Sequence, residues 1–402
     1  MWFKKITIFA PGFRVDMDLK HKQRIFLSVY FFLSGFCFST WASRIPTIKT
    51  FFNFNDAQLG TILLFMPISS LMGLPFSGWL VSRFESRKPL VVGFVIFAGA
   101  LTSIGLAKTN FALISSICVF SFTMRIINIT LNTQAATLQK KFDRGINGTF
   151  HGLWSTGGIA GVGFSTLLVA LHTSIGIHFL IVALVTVSTA FYSYRFLLHS
   201  DRSASGNKLI IGKPDPYIVY LGILIFFASI CEGGMFDWSG IYFREVVREE
   251  LFTLGYLTFM ICMALSRFGS DGSIERIGMP KMFVVSALLI FGGIALAVLL
   301  PGFWTSMFGF CLVGLGTAAI VPMTFTLASR SKKYSPGMAI SLIATYGIAG
   351  TFIGPPLIGY IAHALNLRIA FVTFAIAGLM IIPVSKMFFR HKASLASQDE
   401  KP

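Results

Sequence analysis

The chain has 402 residues, 54% of them hydrophobic and only 12% charged, with a mean hydropathy of +0.75. A soluble domain is about 25% charged, so this composition excludes a soluble multidomain enzyme and a disordered protein. The formal net charge of +17 leaves two readings, a nucleic-acid surface or the basic cytoplasmic loops of a membrane protein.

About 20 apolar residues cross a bilayer as a helix. In chain order, stretches of that kind fall at 25–44, 58–81, 90–107, 111–136, 148–171, 176–198, 217–242, 253–271, 281–300, 304–328, 338–362 and 368–389. A polar tail, 1–24, precedes them and another, 390–402, follows. The longest internal polar segment, 199–216, holds Ser203, Ser205, Gly206, Asn207 and Pro214 and reads as a linker between halves 25–198 and 217–389. The expectation is an all-α membrane protein with twelve transmembrane helices in two pseudo-symmetric six-helix bundles. With the N-terminus in the cytoplasm, 26 of the 33 basic residues fall on cytoplasmic segments, six on outer segments, and Arg125 alone within a span. That split fits the positive-inside rule with both termini cytoplasmic, and it accounts for the net charge without nucleic acid. The five cysteines lie singly in apolar stretches without metal-ligand spacing and read as small packing residues.

The halves echo one another. Gly158-Ile159-Ala160-Gly161 opens span 5 and Gly347-Ile348-Ala349-Gly350 opens span 11. Ser82-Arg83 with Lys88 follows span 2, and Glu275-Arg276 with Lys281 follows span 8. Trp41 ends span 1 as Trp238 ends span 7. Duplicated bundles of this kind are the mark of secondary transporters, with the solute site between the repeats near mid-membrane.

The loop after span 2 reads Gly78-Trp79-Leu80-Val81-Ser82-Arg83-Phe84-Glu85-Ser86-Arg87-Lys88. It resembles the loop signature of the major facilitator superfamily, with Ser82 where that signature has aspartate and Ser86 where it has glycine. Four further stretches are similar to a bacterial branch, the YbjJ-type permeases, distantly akin to fucose-permease-like transporters. They are Trp41-Ala42-Ser43-Arg44-Ile45-Pro46, Asn132-Thr133-Gln134-Ala135, His151-Gly152-Leu153-Trp154-Ser155-Thr156-Gly157-Gly158 and Glu232-Gly233-Gly234-Met235-Phe236-Asp237-Trp238-Ser239. The resemblance implies an alternating-access permease of the bacterial inner membrane, with spans 1, 4, 7 and 10 lining the central cavity.

Charge within a membrane is costly and faces a cavity or a partner. Arg125 lies mid-way along span 4 and Glu232 mid-way along span 7, so the two are expected to pair in one conformational state and part in another. Glu232 is the candidate for proton coupling. Arg125, Asn128 and Asn132, spaced i, i+3 and i+7, share one helical face and are the other candidates for the substrate cavity. Arg44 and Asp237, read as the outer ends of spans 1 and 7, are candidates for an outer gate. Arg83, Arg87, Lys88, Arg267, Asp271 and Arg276 are candidates for an inner gate. Trp41 and Trp238 read as interfacial anchors. No Walker loop, zincin pair or nucleophile elbow appears, so neither an enzyme nor a cofactor is expected. The function that follows is secondary transport of a small polar solute, a sugar or organic acid, coupled to protons. The partners are the solute, protons and the lipid bilayer, and the chain acts as a monomer. An exporter of amphipathic compounds and a solute sensor that moves nothing are the alternatives.

Overall fold

The computed structural model describes residues 18–142, 146–199, 215–334 and 336–399. Almost all of the expected linker, most of the N-terminal tail and the last three residues lie outside them. The helices are α1 (Leu19–Ser43), α2 (Ile45–Phe51), α3 (Asp56–Arg83), α4 (Arg87–Leu106), α5 (Asn110–Gln139), α6 (Asn147–Ala170), α7 (Ile175–Tyr194), α8 (Pro216–Tyr242), α9 (Thr253–Ile277), α10 (Met279–Leu299), α11 (Phe303–Thr317), α12 (Ile320–Ala328), α13 (Pro336–Ala364), α14 (Leu367–Ala370) and α15 (Val372–Asp399). No strand occurs among the described residues.

In hydrocarbon every backbone amide needs an internal partner, so apolar runs of this length must be helical. Short polar signals fix where they start. Asn55 accepts from the Gln58 amide at 2.8 Å while the Gln58 side chain accepts from the Asn55 amide at 3.0 Å, a reciprocal cap on α3. Thr109, Ser174, Asp215 and Asn366 cap α5, α7, α8 and α14 in the simpler way. Eleven described helices are long and apolar enough to cross a membrane, and α9, apolar over Thr253–Arg267, adds the twelfth crossing. Several helices outrun their apolar stretch: α1 begins at Leu19, α9 ends at Ile277 and α15 continues to Asp399. Hydropathy marks only the part inside the lipid, and good helix formers carry the turns onward in water. The tenth span is broken at Ala318 and Ala319, between α11 and α12.

Packing makes the duplication explicit. In the first half α1 packs on α6, α3 and α4 on α5, and α4 on α7. The second half repeats each pairing with α8 on α13, α9 and α10 on α11, and α10 on α15. The repeat in the sequence lands on equivalent contacts. A Cβ on Gly161 would lie 2.5 Å from the Phe36 carbonyl oxygen of α1, and one on Gly350 would lie 2.5 Å from the Phe226 carbonyl oxygen of α8. Small faces let these backbones touch, as tight helix pairs in lipid require. Trp41 and Trp238 are both buried in this packing, which corrects their reading as interfacial anchors: each fills the core of its own half.

The halves meet along two seams, α3 with α13 and α6 with α9. An even number of crossings puts both chain ends on one face, called here the terminal face. At the opposite face the seams are shut. Thr253 donates to Thr166 at 2.8 Å. A Cβ on Gly60 would lie 2.9 Å from the Pro355 carbonyl oxygen, and one on Gly359 would lie 2.5 Å from the Asp56 carbonyl oxygen. Toward the terminal face, Asn128 is exposed on the α5 face that also carries Arg125.

A Cβ on Gly157 would overlap the Phe32 carbonyl oxygen, whereas Gly99 has open space around it. Gly157→Ala is expected to destabilise the fold by about 1–3 kcal/mol, the usual cost of overpacking. Gly99→Ala should leave stability unchanged or raise it slightly, since alanine is the better helix former. Thermal unfolding of the two variants in detergent checks this.

Candidate functional site

A cavity of about 190 Å³ lies between the halves, walled by α1, α3, α5, α8 and α13. Its polar groups come from both sides: Ser70, Ser121 and Arg125 from the first half, Ser229, Asp237 and Thr351 from the second. Phe38 and Phe236 close one wall, with their rings edge to face at 5.8 Å. The Arg125 Nε donates to the Ser70 hydroxyl at 2.8 Å, which ties the guanidinium to α3 at the cavity lining. Asp237 enters from α8 and makes no hydrogen bond or ion pair among the described residues.

Sequence reasoning set Asp237 at the outer end of its span, opposite Arg44. The structure corrects this. α8 runs on to Tyr242 and passes into a π turn, Phe243–Val247. At about 1.5 Å per residue, Asp237 sits roughly 15 Å below the end of that rod. Arg44, for its part, is buried at the break between α1 and α2, with 4% of its surface exposed. It donates to His178 Nδ1 at 3.0 Å and to the Thr173 carbonyl at 3.1 Å, both within its own half.

The cluster that does bridge the opposite face centres on Lys49. Its ammonium, in a residue only 7% exposed, contacts Asp56 at 2.5 Å and pairs with Glu245 of the π turn in the other half. Lys49 reads in sequence as a loop charge, and the structure instead carries it on α2, directly after α1, into contact with both carboxylates. The nearby Asn55–Gln58 cap was the one local signal that Asp56 would be held in place.

Glu232 and Arg125 are apart in this conformation. Glu232 is instead paired with Arg267 of α9 at 3.0 Å, and Arg267 also donates to Ser155 of α6 at 3.2 Å. This corrects the placing of Arg267 at the inner end of its span. α9 is long enough to carry Arg276 to the terminal face while Arg267 sits at the depth of Glu232. The strut α8–α9–α6 therefore crosses a seam at mid-depth. The Asp271 side chain lies outside the described residues. Arg83, Lys88 and Arg276 are exposed, and Arg87 pairs with Glu85 at 2.9 Å and meets His199 at 3.0 Å. Of the four residues expected to line the cavity, Arg125 alone does so. Asn128 and Asn132 lie on the same face nearer the terminal side, and the Asn132 amide is bonded to the Asn128 carbonyl at 2.7 Å. They border the way in rather than the cavity.

Two matched bundles around a charged central cavity are the architecture of an alternating-access carrier, and the comparisons agree. The sequence profile of the Major Facilitator Superfamily matches residues 26–332 and 257–401; the chain belongs to that superfamily. It is 28% identical over 393 residues to the membrane protein MosC of Rhizobium meliloti, covering 97% of this chain and 92% of that one. It is 29% identical over 363 residues to an uncharacterized MFS-type transporter of Yersinia pestis, covering 89% and 94%. In fold it is similar to a bacterial homolog of the lysosomal transporter Spinster, in an inward-facing and unoccupied conformation. That likeness has a TM-score of 0.73, 14% identity, and coverage of 94% and 99% of the two chains. The nucleoside transporter NupG superposes with a TM-score of 0.68 at 14% identity, covering 93% and 99%. The chain is a multi-pass membrane transporter.

Removing Lys49 leaves Asp56 and Glu245 facing each other across the shut seam. Lys49→Met is expected to shift the population toward the form open at the opposite face by about tenfold, the equivalent of about 1.4 kcal/mol. The readout is maleimide labelling of Thr253→Cys in a background lacking the native cysteines. Labelling should speed up in the Lys49 variant, and an unchanged rate counts against the seal.

Proposed function

We infer that this transporter moves a small polar solute, a sugar or an organic acid, by alternating access coupled to protons. One observation carries the reading: ionisable groups from both halves converge on a small cavity between them, and the seams are shut at one face. An exporter of amphipathic compounds would call for a large apolar chamber between the halves. The large apolar groove here, about 760 Å³, is lined by α3, α4 and α5 alone. Basic residues concentrate on the terminal face, which argues for a cytoplasmic location of both ends in a bacterial inner membrane. The conformation is then the inward-open one. A single chain supplies both halves and the whole cavity, so a monomer suffices.

In this reading the solute passes Asn128 and Asn132 and reaches Arg125. Rocking then opens the Lys49 cluster and the Thr166–Thr253 contact on the far side. Glu232 is the coupling group. Ionised, it holds Arg267 in the strut that also reaches Ser155; protonated, it releases Arg267 and loosens α9 against α6. An unpaired charge at that depth would cost several kcal/mol, so proton and strut exchange in concert. One charge crossing about 100 mV supplies about 2.3 kcal/mol, enough for a solute gradient of roughly fifty-fold.

Uptake of labelled solutes by the purified protein in liposomes, with and without a pH gradient, tests the function. Accumulation driven by the gradient is expected. Glu232→Gln should abolish that accumulation while leaving solute exchange across the membrane. Driven uptake that persists in this variant would remove Glu232 from coupling. A protein that binds solute and moves none would be a sensor instead.

A further inference from the structure

We propose that the cavity is a site for a small zwitterion, an amino acid of about six to eight heavy atoms, with its carboxylate on Arg125 and its ammonium on Asp237. This rests on the transport reading above and deepens its organic-acid arm.

The argument begins with what the two charges do in the empty cavity. A guanidinium and a carboxylate in one partly desolvated cavity gain by pairing directly. Arg125 and Asp237 line one cavity yet form no ion pair with each other. Arg125 is held off by its bond to Ser70, and no other group among the described residues takes its place on either ion. Two opposite ions kept apart across a gap have complementary unmet demands. A solute with an anionic end and a cationic end meets both at once, whereas a singly charged solute leaves one ion without a counter-charge. A sugar offers hydroxyls to each and neutralises neither.

The surroundings fit such a guest. The free fork of a guanidinium matches a carboxylate in bidentate fashion. Phe38 and Phe236 add two aromatic rings to the same lining, edge to face at 5.8 Å, and an aromatic face attracts an ammonium. Ser229 and Thr351 add hydroxyls on the second-half side. The volume of about 190 Å³ corresponds to about six waters at about 30 Å³ each, the heavy-atom count of alanine.

The test is a stability panel on the wild-type protein in detergent. L-alanine, β-alanine and γ-aminobutyrate are compared with propionate, propylamine and glucose at equal concentration. The zwitterions should raise the unfolding midpoint, with apparent affinities at least tenfold above those of either singly charged analogue. Asp237→Asn should bring propionate level with alanine, and Asp237→Glu should restore the preference, which separates charge from folding. Propionate or glucose acting on the wild type as strongly as the zwitterions overturns the proposal, as does the absence of a shift with all three zwitterions. Counterflow in liposomes tells the two claims apart. If glucose or propionate crosses and the zwitterions do not, the zwitterion site falls and the transporter stands. If the zwitterions bind and nothing crosses, the site stands and transport falls.

Discussion

Hydrocarbon does not solvate ions, and that one constraint governs this molecule. Each ionised side chain below the lipid surface must bring a partner or face a cavity that supplies one. The chain meets the demand in three ways. Lys49 is sandwiched between Asp56 and Glu245 at the opposite face, Arg267 is shared between Glu232 and Ser155 at mid-depth, and Arg125 leans on Ser70 at the cavity wall. Two of the three bonds reach from one half into the other. The electrostatics that make the fold tolerable in lipid are thus the same bonds that any relative motion of the halves must remake.

The scaffold around these charges is nearly symmetric and the charges are not. Each principal helix pairing of the first half has its counterpart in the second, down to the matched approach of Gly161 to Phe36 and of Gly350 to Phe226. Yet the buried cation of α5 has no cationic counterpart on α11, and the acidic groups Glu232 and Asp237 of α8 have none on α1. Symmetry supplies two equivalent ways for the bundles to lean. The unequal placing of charge makes the two leaning states chemically different.

What the sequence disclosed follows from which forces act locally. Span positions, the division into halves and the repeat were legible because hydropathy and small-residue spacing are local properties. Arg125 was legible as a cavity residue because a lone charge in an apolar run has few places to go. Partners were harder to read, because a partner depends on depth, and depth depends on where a long helix enters the lipid. Asp237 looked terminal until α8 and its π turn were seen to continue past it. Arg267 looked like part of an inner gate, while the structure pairs it with Glu232, on another helix. Lys49 gave no signal at all, because its burial comes from partners distant in the chain and from the short helix α2 that presents it to them.

The meeting of Gly60 with Gly359 carries one more consequence. There the main chains of α3 and α13 come together with no side chain between them, so the gap is narrower than a file of water molecules. A plug of bulky side chains would fluctuate and admit a hydrogen-bonded thread along which hydronium could hop. Two touching backbones leave no room for such a thread at that point of the seam.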